Sequence, residues 1–145
     1  MKNCIIVFMG TLLLSCKVVL NQPQKERELS FRAIDYSVKW EGKAKLVTTY
    51  KEALRIGLTQ KSNKNERFYS KNAVYLFEVG GGCFGASPSE ISVTLKNNII
   101  NINWEEPNEL CPEVGEMSAF WGEIIINKKD YPNYERLKVK YYWEE

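Results

Sequence analysis

The chain has 145 residues, enough for one domain with a modest single core. Its 20 Lys+Arg stand against 18 Asp+Glu, so nucleic-acid binding has no electrostatic footprint to rest on. Histidine is absent altogether, which excludes Ser-His-Asp and Cys-His catalysis and the common histidine zinc sites.

Met1-Lys2-Asn3 supplies a short positive start, and Cys4 to Leu14 is almost wholly apolar. A run of that length suits the core of a secretory signal and is too short for a bilayer span, which needs about 20 residues. Leu13-Leu14-Ser15-Cys16 closes it. This quartet resembles the lipobox of bacterial lipoproteins, a resemblance confined to about the first sixteen residues. It implies cleavage before Cys16 and acylation (palmitate among the chains) of that cysteine as the first mature residue. By the same resemblance Lys17, where an Asp would favour the inner membrane, implies the outer membrane if the cell is Gram-negative. An ordinary cleaved signal, or an uncleaved anchor with an incidental cysteine, is the alternative. The small-x-small pattern of ordinary cleavage is missing.

Removal of residues 1 to 15 takes away Lys2 and Cys4, lowering Lys+Arg from 20 to 19 and leaving Cys83 and Cys111 beside the acylated Cys16. An even pair in an exported chain reads as a disulfide. The loop it closes, about 29 residues, corresponds to roughly 3–4 kcal/mol in the loop-entropy model. A redox or nucleophilic thiol is the rival. No Cys-x-x-Cys motif and no histidine is present to activate one.

Residues 16–28 read as a lipidated N-terminus and polar tether, and 29–145 as a single β domain. Ile34, Tyr36, Val38 and Trp40 alternate with polar residues, the pattern of a half-buried strand. Glu41-Gly42-Lys43 is a turn signal. Ala44 to Gln60 is ambiguous: Val47, Tyr50, Leu54 and Leu58 share a helical face, while Leu54, Ile56 and Leu58 alternate as in a strand. Strands or a short helix flanking the sheet are the open readings. Lys61 to Arg67 reads as a solvated loop. Ala73 to Val79, apolar on both faces, is a central strand, and Gly80-Gly81-Gly82 ends it in a bulge or tight bend. No Gly-Lys-Ser/Thr follows the glycines, so they are not a phosphate loop.

Glu90 to Trp104 reads as a hairpin with Asn97-Asn98 as a type I′ turn. Counting outward pairs Leu95 with Ile100, Val93 with Ile102 and Ile91 with Trp104 on one face. Thr94 pairs with Asn101 and Ser92 with Asn103 on the other. A one-residue slip would set each apolar group opposite a polar one. The acidic residues Glu105, Glu106, Glu109, Glu113 and Glu116 lack the spacing of a calcium loop, and a solvated loop is the expectation. Phe120 to Asn127 is another strand, and Lys128 to Tyr134 turns the chain. Leu137, Val139, Tyr141 and Trp143 alternate with Lys138, Lys140 and Tyr142 in a last, amphipathic strand whose lysines suit a sheet edge or a solvated face. About six or seven strands with no long helical period make an all-β fold, an antiparallel sandwich or small barrel with at most one short helix.

No catalytic residue, metal site or cofactor is expected, although carboxylate-based catalysis stays formally open. The first expectation is a lipid-anchored, non-catalytic envelope protein that binds a protein partner, of assembly, inhibitor or immunity type. The second is a carbohydrate- or cell-wall-binding module, in which Trp121, Tyr131, Tyr134 and Tyr142 are the candidate ligand-binding rings. A flat exposed row of those four would favour a glycan. Scattered or buried rings would favour a protein.

Overall fold

The structure, a computed structural model, describes residues 25–34, 38–58, 64–80, 85–105 and 119–144. The central hairpin forms as its alternation dictates. β5 (Ile91–Lys96) and β6 (Ile99–Glu105) pair antiparallel, with Ile91 opposite Trp104, Val93 opposite Ile102 and Leu95 opposite Ile100. Asn97 and Asn98 take φ of 51° and 62°, the left-handed pair that a type I′ turn requires. Replacing Asn98 with valine places a β-branched side chain in that region. It is expected to lower stability by about 1–2 kcal/mol in urea unfolding, while Asn98→Gly should not.

Two strands flank this hairpin. β1 (Arg27–Glu28) pairs with β5, and β8 (Lys138–Glu144) pairs with β6, giving sheet A the order β1-β5-β6-β8. Sheet B comprises β2 (Phe31–Ala33), β3 (Ala44–Val47), β4 (Asn72–Val79) and β7 (Phe120–Asn127) in the order β2-β7-β4-β3. β4 is interior, as its two apolar faces predict. The chain passes between the sheets at Leu29-Ser30, so β1 and β2 lace one side of the sandwich. The two sheets remain separate and do not close into a barrel. All pairings are antiparallel except β6 with β8. Between those two strands β7 runs back through the other sheet, and that return makes β8 parallel to β6.

The facing sides of the sheets form the main core. Tyr75, Phe77 and Val79 of β4 and Ile124 and Ile126 of β7 pack against Val93, Leu95, Ile100, Ile102 and Trp104. The other side of sheet B is also covered. There α1 (Tyr50–Arg55) and α2 (Glu66–Lys71) bury Ala53, Ile56 and Tyr69 against Val47, Val74 and Leu76. The outer side of sheet A is polar.

Three expectations need correction, and one open reading is resolved. Arg27 and Glu28 are paired chain rather than tether. Ile34 and residues 38–40 are not strand: Lys39 N–H donates to the carbonyl of Ile56, and Val38 is buried beneath the helical layer. The ambiguous stretch resolves into both alternatives, β3 and then α1. The loop assigned to Lys61–Arg67 is entered by α2 at Glu66, and Lys64 is buried. Each helix starts on a side-chain cap. Thr49 Oγ1 accepts from the Glu52 N–H at 3.2 Å, and Asn65 Oδ1 from the Phe68 N–H at 3.0 Å.

Tyr75 ties the core to the β7–β8 connection. Its hydroxyl donates to the carbonyls of Tyr134 (2.5 Å) and Leu137 (3.4 Å). The Tyr141 hydroxyl donates to the Lys43 carbonyl at 2.6 Å. Burial, above all, pushes both phenols up to about 12. Unfolded tyrosine titrates near 10, so the unfolded chain loses its protons first as pH rises. Stability from these groups is therefore complete below pH 10 and is lost from pH 10 through about 12. Urea midpoints should hold level from pH 7 to 9 and then fall. Tyr75→Phe should lose about 1 kcal/mol at pH 7, with a shallower alkaline fall.

Candidate functional site

Strand parity and register divide the surface into three regions. The first is the outer face of sheet A. Ser92 and Thr94 of β5 stand opposite Asn103 and Asn101 of β6, and these stand beside Tyr142 and Lys140 of β8. Asn103 Nδ2 donates to Ser92 Oγ at 3.1 Å, and Asn101 Nδ2 to Thr94 Oγ1 at 3.4 Å. Side-chain amides and hydroxyls thus run across the sheet in two cross-strand pairs. Tyr142, 46% exposed, is the one exposed large apolar side chain described there.

The second region is the end of the sandwich where the N-terminal segment enters. The Asn97-Asn98 turn, the β7–β8 connection and Lys25–Arg27 meet there around a recess of about 370 Å³. Leu95 and Leu137 contribute apolar lining. Arg27 Nη1 donates to the Tyr131 hydroxyl at 3.0 Å, and its guanidinium lies 5.8 Å from that ring's centroid. Tyr134 sits nearby, its hydroxyl donating to Glu135 at 3.0 Å and its ring facing the Lys128 ammonium at 5.3 Å. Burial first, and Glu135 second, raise its phenol above the ordinary tyrosine value.

The third region lies under the helical layer. Glu123, in the middle of β7, is only 4% exposed. Lys64 Nζ donates to both of its oxygens, at 2.6 and 2.5 Å, and is itself 8% exposed. Arg32, largely exposed on β2, approaches Oε1 at 3.6 Å. Lys64 also lies 6.0 Å from the Phe68 ring centroid. The two charges are paired at this depth, and each would be costly to bury alone. Among the described residues the buried Tyr69 hydroxyl has no hydrogen-bond partner, and burial, with Glu123 and Glu52 adding to it, pushes its phenol far up.

The sequence-predicted residues are therefore dispersed. Tyr131 and Tyr134 come together at the end where Lys25–Arg27 lie. Tyr142 stands on the outer face of sheet A. Trp121 lies on the helical side of sheet B, in contact with Trp40 with centroids 4.8 Å apart and planes tilted by 60°. The four do not form a row. Cys16, Cys83 and Cys111, and the acidic stretch 106–116, lie outside the described residues. Among the described residues no three acidic or cysteine side chains gather as a metal site. Lys64 and Glu123 escaped the sequence reading. The signal for Glu123 was there: it is the single acid in a strand otherwise fit for burial.

Among the described residues, fold and surface together define an open two-sheet β-sandwich with a helical cover on one side. No family model matches the chain, and neither a curated protein nor a solved structure is similar to it.

Proposed function

We propose that the chain is a lipid-anchored, non-catalytic protein of a bacterial envelope, and that the outer face of sheet A binds a protein partner. One observation carries the choice of partner over glycan. The four candidate rings occupy three separate surfaces, and Trp121, Tyr131 and Tyr134 are engaged within the fold by Trp40, Arg27 and Lys128. Stacking on a sugar needs open aromatic faces side by side. What remains continuous is the sheet face around Asn101, Asn103 and Tyr142. Its rigid amides and hydroxyls suit the hydrogen-bonding groups of another protein's surface. The lipid anchor rests on the lipobox-like Leu13-Leu14-Ser15-Cys16.

The test is capture of the lipidated protein from its own envelope after cross-linking. One stoichiometric protein is expected, lost when Asn101→Arg and Asn103→Arg are combined at unchanged thermal midpoint. Recovery of glycan or cell-wall fragments with no protein partner would overturn the proposal in favour of carbohydrate binding.

A further inference from the structure

The near-neutral net charge conceals a separation of charge along the sandwich. Strand register places Lys25, Arg27 and Lys96 at the end bearing the Asn97-Asn98 turn. The β7–β8 connection brings Lys129, Arg136 and Lys138 to the same end, and all six are exposed. The acids beside them are Glu26, which pairs with Lys96 at 3.3 Å, Glu28, which follows Arg27 in β1, and Asp130 and Glu135. The opposite end reverses the sign. Among the described residues Glu41, Glu78, Glu90 and Glu105 lie there, against Lys43 and, next to Trp40, Lys39.

The basic end is also the one that the N-terminal segment enters. Lys25 follows Cys16 by nine positions, a reach of at most about 30 Å when fully extended. We infer that the basic end, centred on the recess between Arg27 and Tyr131, docks on the anionic headgroups of the lipid surface that holds the anchor. This inference rests on the lipid-anchor reading. Charge complementarity argues for it directly. A bilayer containing anionic lipid attracts Lys and Arg within a Debye length, about 8 Å at physiological salt, and repels the acidic far end. The docked end offers more than charge. Tyr131 and Pro132 stand at its turn, and an amphipathic phenol suits the headgroup layer. Docked this way, the protein stands with its acidic end away from the membrane and the outer face of sheet A to the side.

The experiment is neutron reflectometry of the lipidated full protein on supported bilayers of phosphatidylcholine with and without one quarter phosphatidylglycerol. With the anionic lipid the protein layer should lie against the headgroups. It should move outward in 1 M NaCl, on the neutral bilayer, and for the combined Lys129→Glu, Arg136→Glu and Lys138→Glu variant. The same layer position in all four cases would overturn the inference. Sedimentation of full-length Cys16→Ser with the two vesicle compositions tests docking without acylation. Its phosphatidylglycerol-dependent binding should fall on the order of a hundredfold in the triple variant. If that holds while intact mass shows no acyl chain on the wild type, the anchor fails and the docking stands. If the wild type is acylated and no phosphatidylglycerol dependence appears, the docking fails alone. Preference of the basic end for polyglutamate over the anionic vesicles would overturn lipid docking in favour of an acidic protein surface.

Discussion

Lys64→Met is expected to cost about 3–5 kcal/mol in chemical denaturation at pH 7, although it removes one polar residue and adds an apolar one. The loss comes from Glu123, not from lysine. Both carboxylate oxygens accept from Lys64 Nζ, and the largely exposed Arg32 at 3.6 Å is a poor substitute in a site 4% exposed to solvent. Glu123→Leu alone leaves the ammonium stranded and should cost a similar amount. The combination of Lys64→Met with Glu123→Leu removes both charges, and most of the loss should return. Additive losses in the double variant would mean that the two groups do not act as a pair.

The second large effect is at the centre of the sandwich. Phe77 of β4 lies opposite Gly122 of β7, and its ring stands edge-on to Phe31 at 5.7 Å. It is fully buried. Phe77→Ala should therefore lose about 3–5 kcal/mol through transfer and cavity terms. The glycine shows the same packing from the other side. A Cβ at Gly122 would come within 2.9 Å of the Phe120 ring and closer still to the Phe77 ring. Gly122→Ala should cost about 1–3 kcal/mol by overpacking, and adding Phe77→Leu should return part of it. Urea unfolding of the three variants checks this. Neutral behaviour of Gly122→Ala would contradict the close packing of the Phe77 and Phe120 rings over Gly122 within sheet B.

The elements that were legible in the sequence are those whose signal is local. The β5–β6 register followed from two constraints that agree, the Asn-Asn turn and the parity of Ile91, Val93 and Leu95 against Ile100, Ile102 and Trp104. β4 was legible as interior because both of its faces are apolar. Non-local features were not legible. Lys64 sits in a polar run, and its partner is 59 residues away, so nothing nearby marks it as buried. The parallel pairing of β8 depends on β7 belonging to the other sheet, which alternation cannot show. α2 is six residues long, and its one strong marker is the Asn65 cap. The candidate rings illustrate the same limit. Parity separates Trp121 from the inner face of its strand, but the Trp40 ring in contact with it comes from a segment whose alternation reads as a strand.

The outer face of sheet A is tested most directly by a photo-cross-linking amino acid placed at Tyr142, with a second at Glu41 as control, in protein made and lipidated in its own envelope. A single discrete protein adduct is expected from position 142 and none from position 41. Adducts of equal yield from both positions, or glycan adducts alone from position 142, would contradict a protein-binding sheet face.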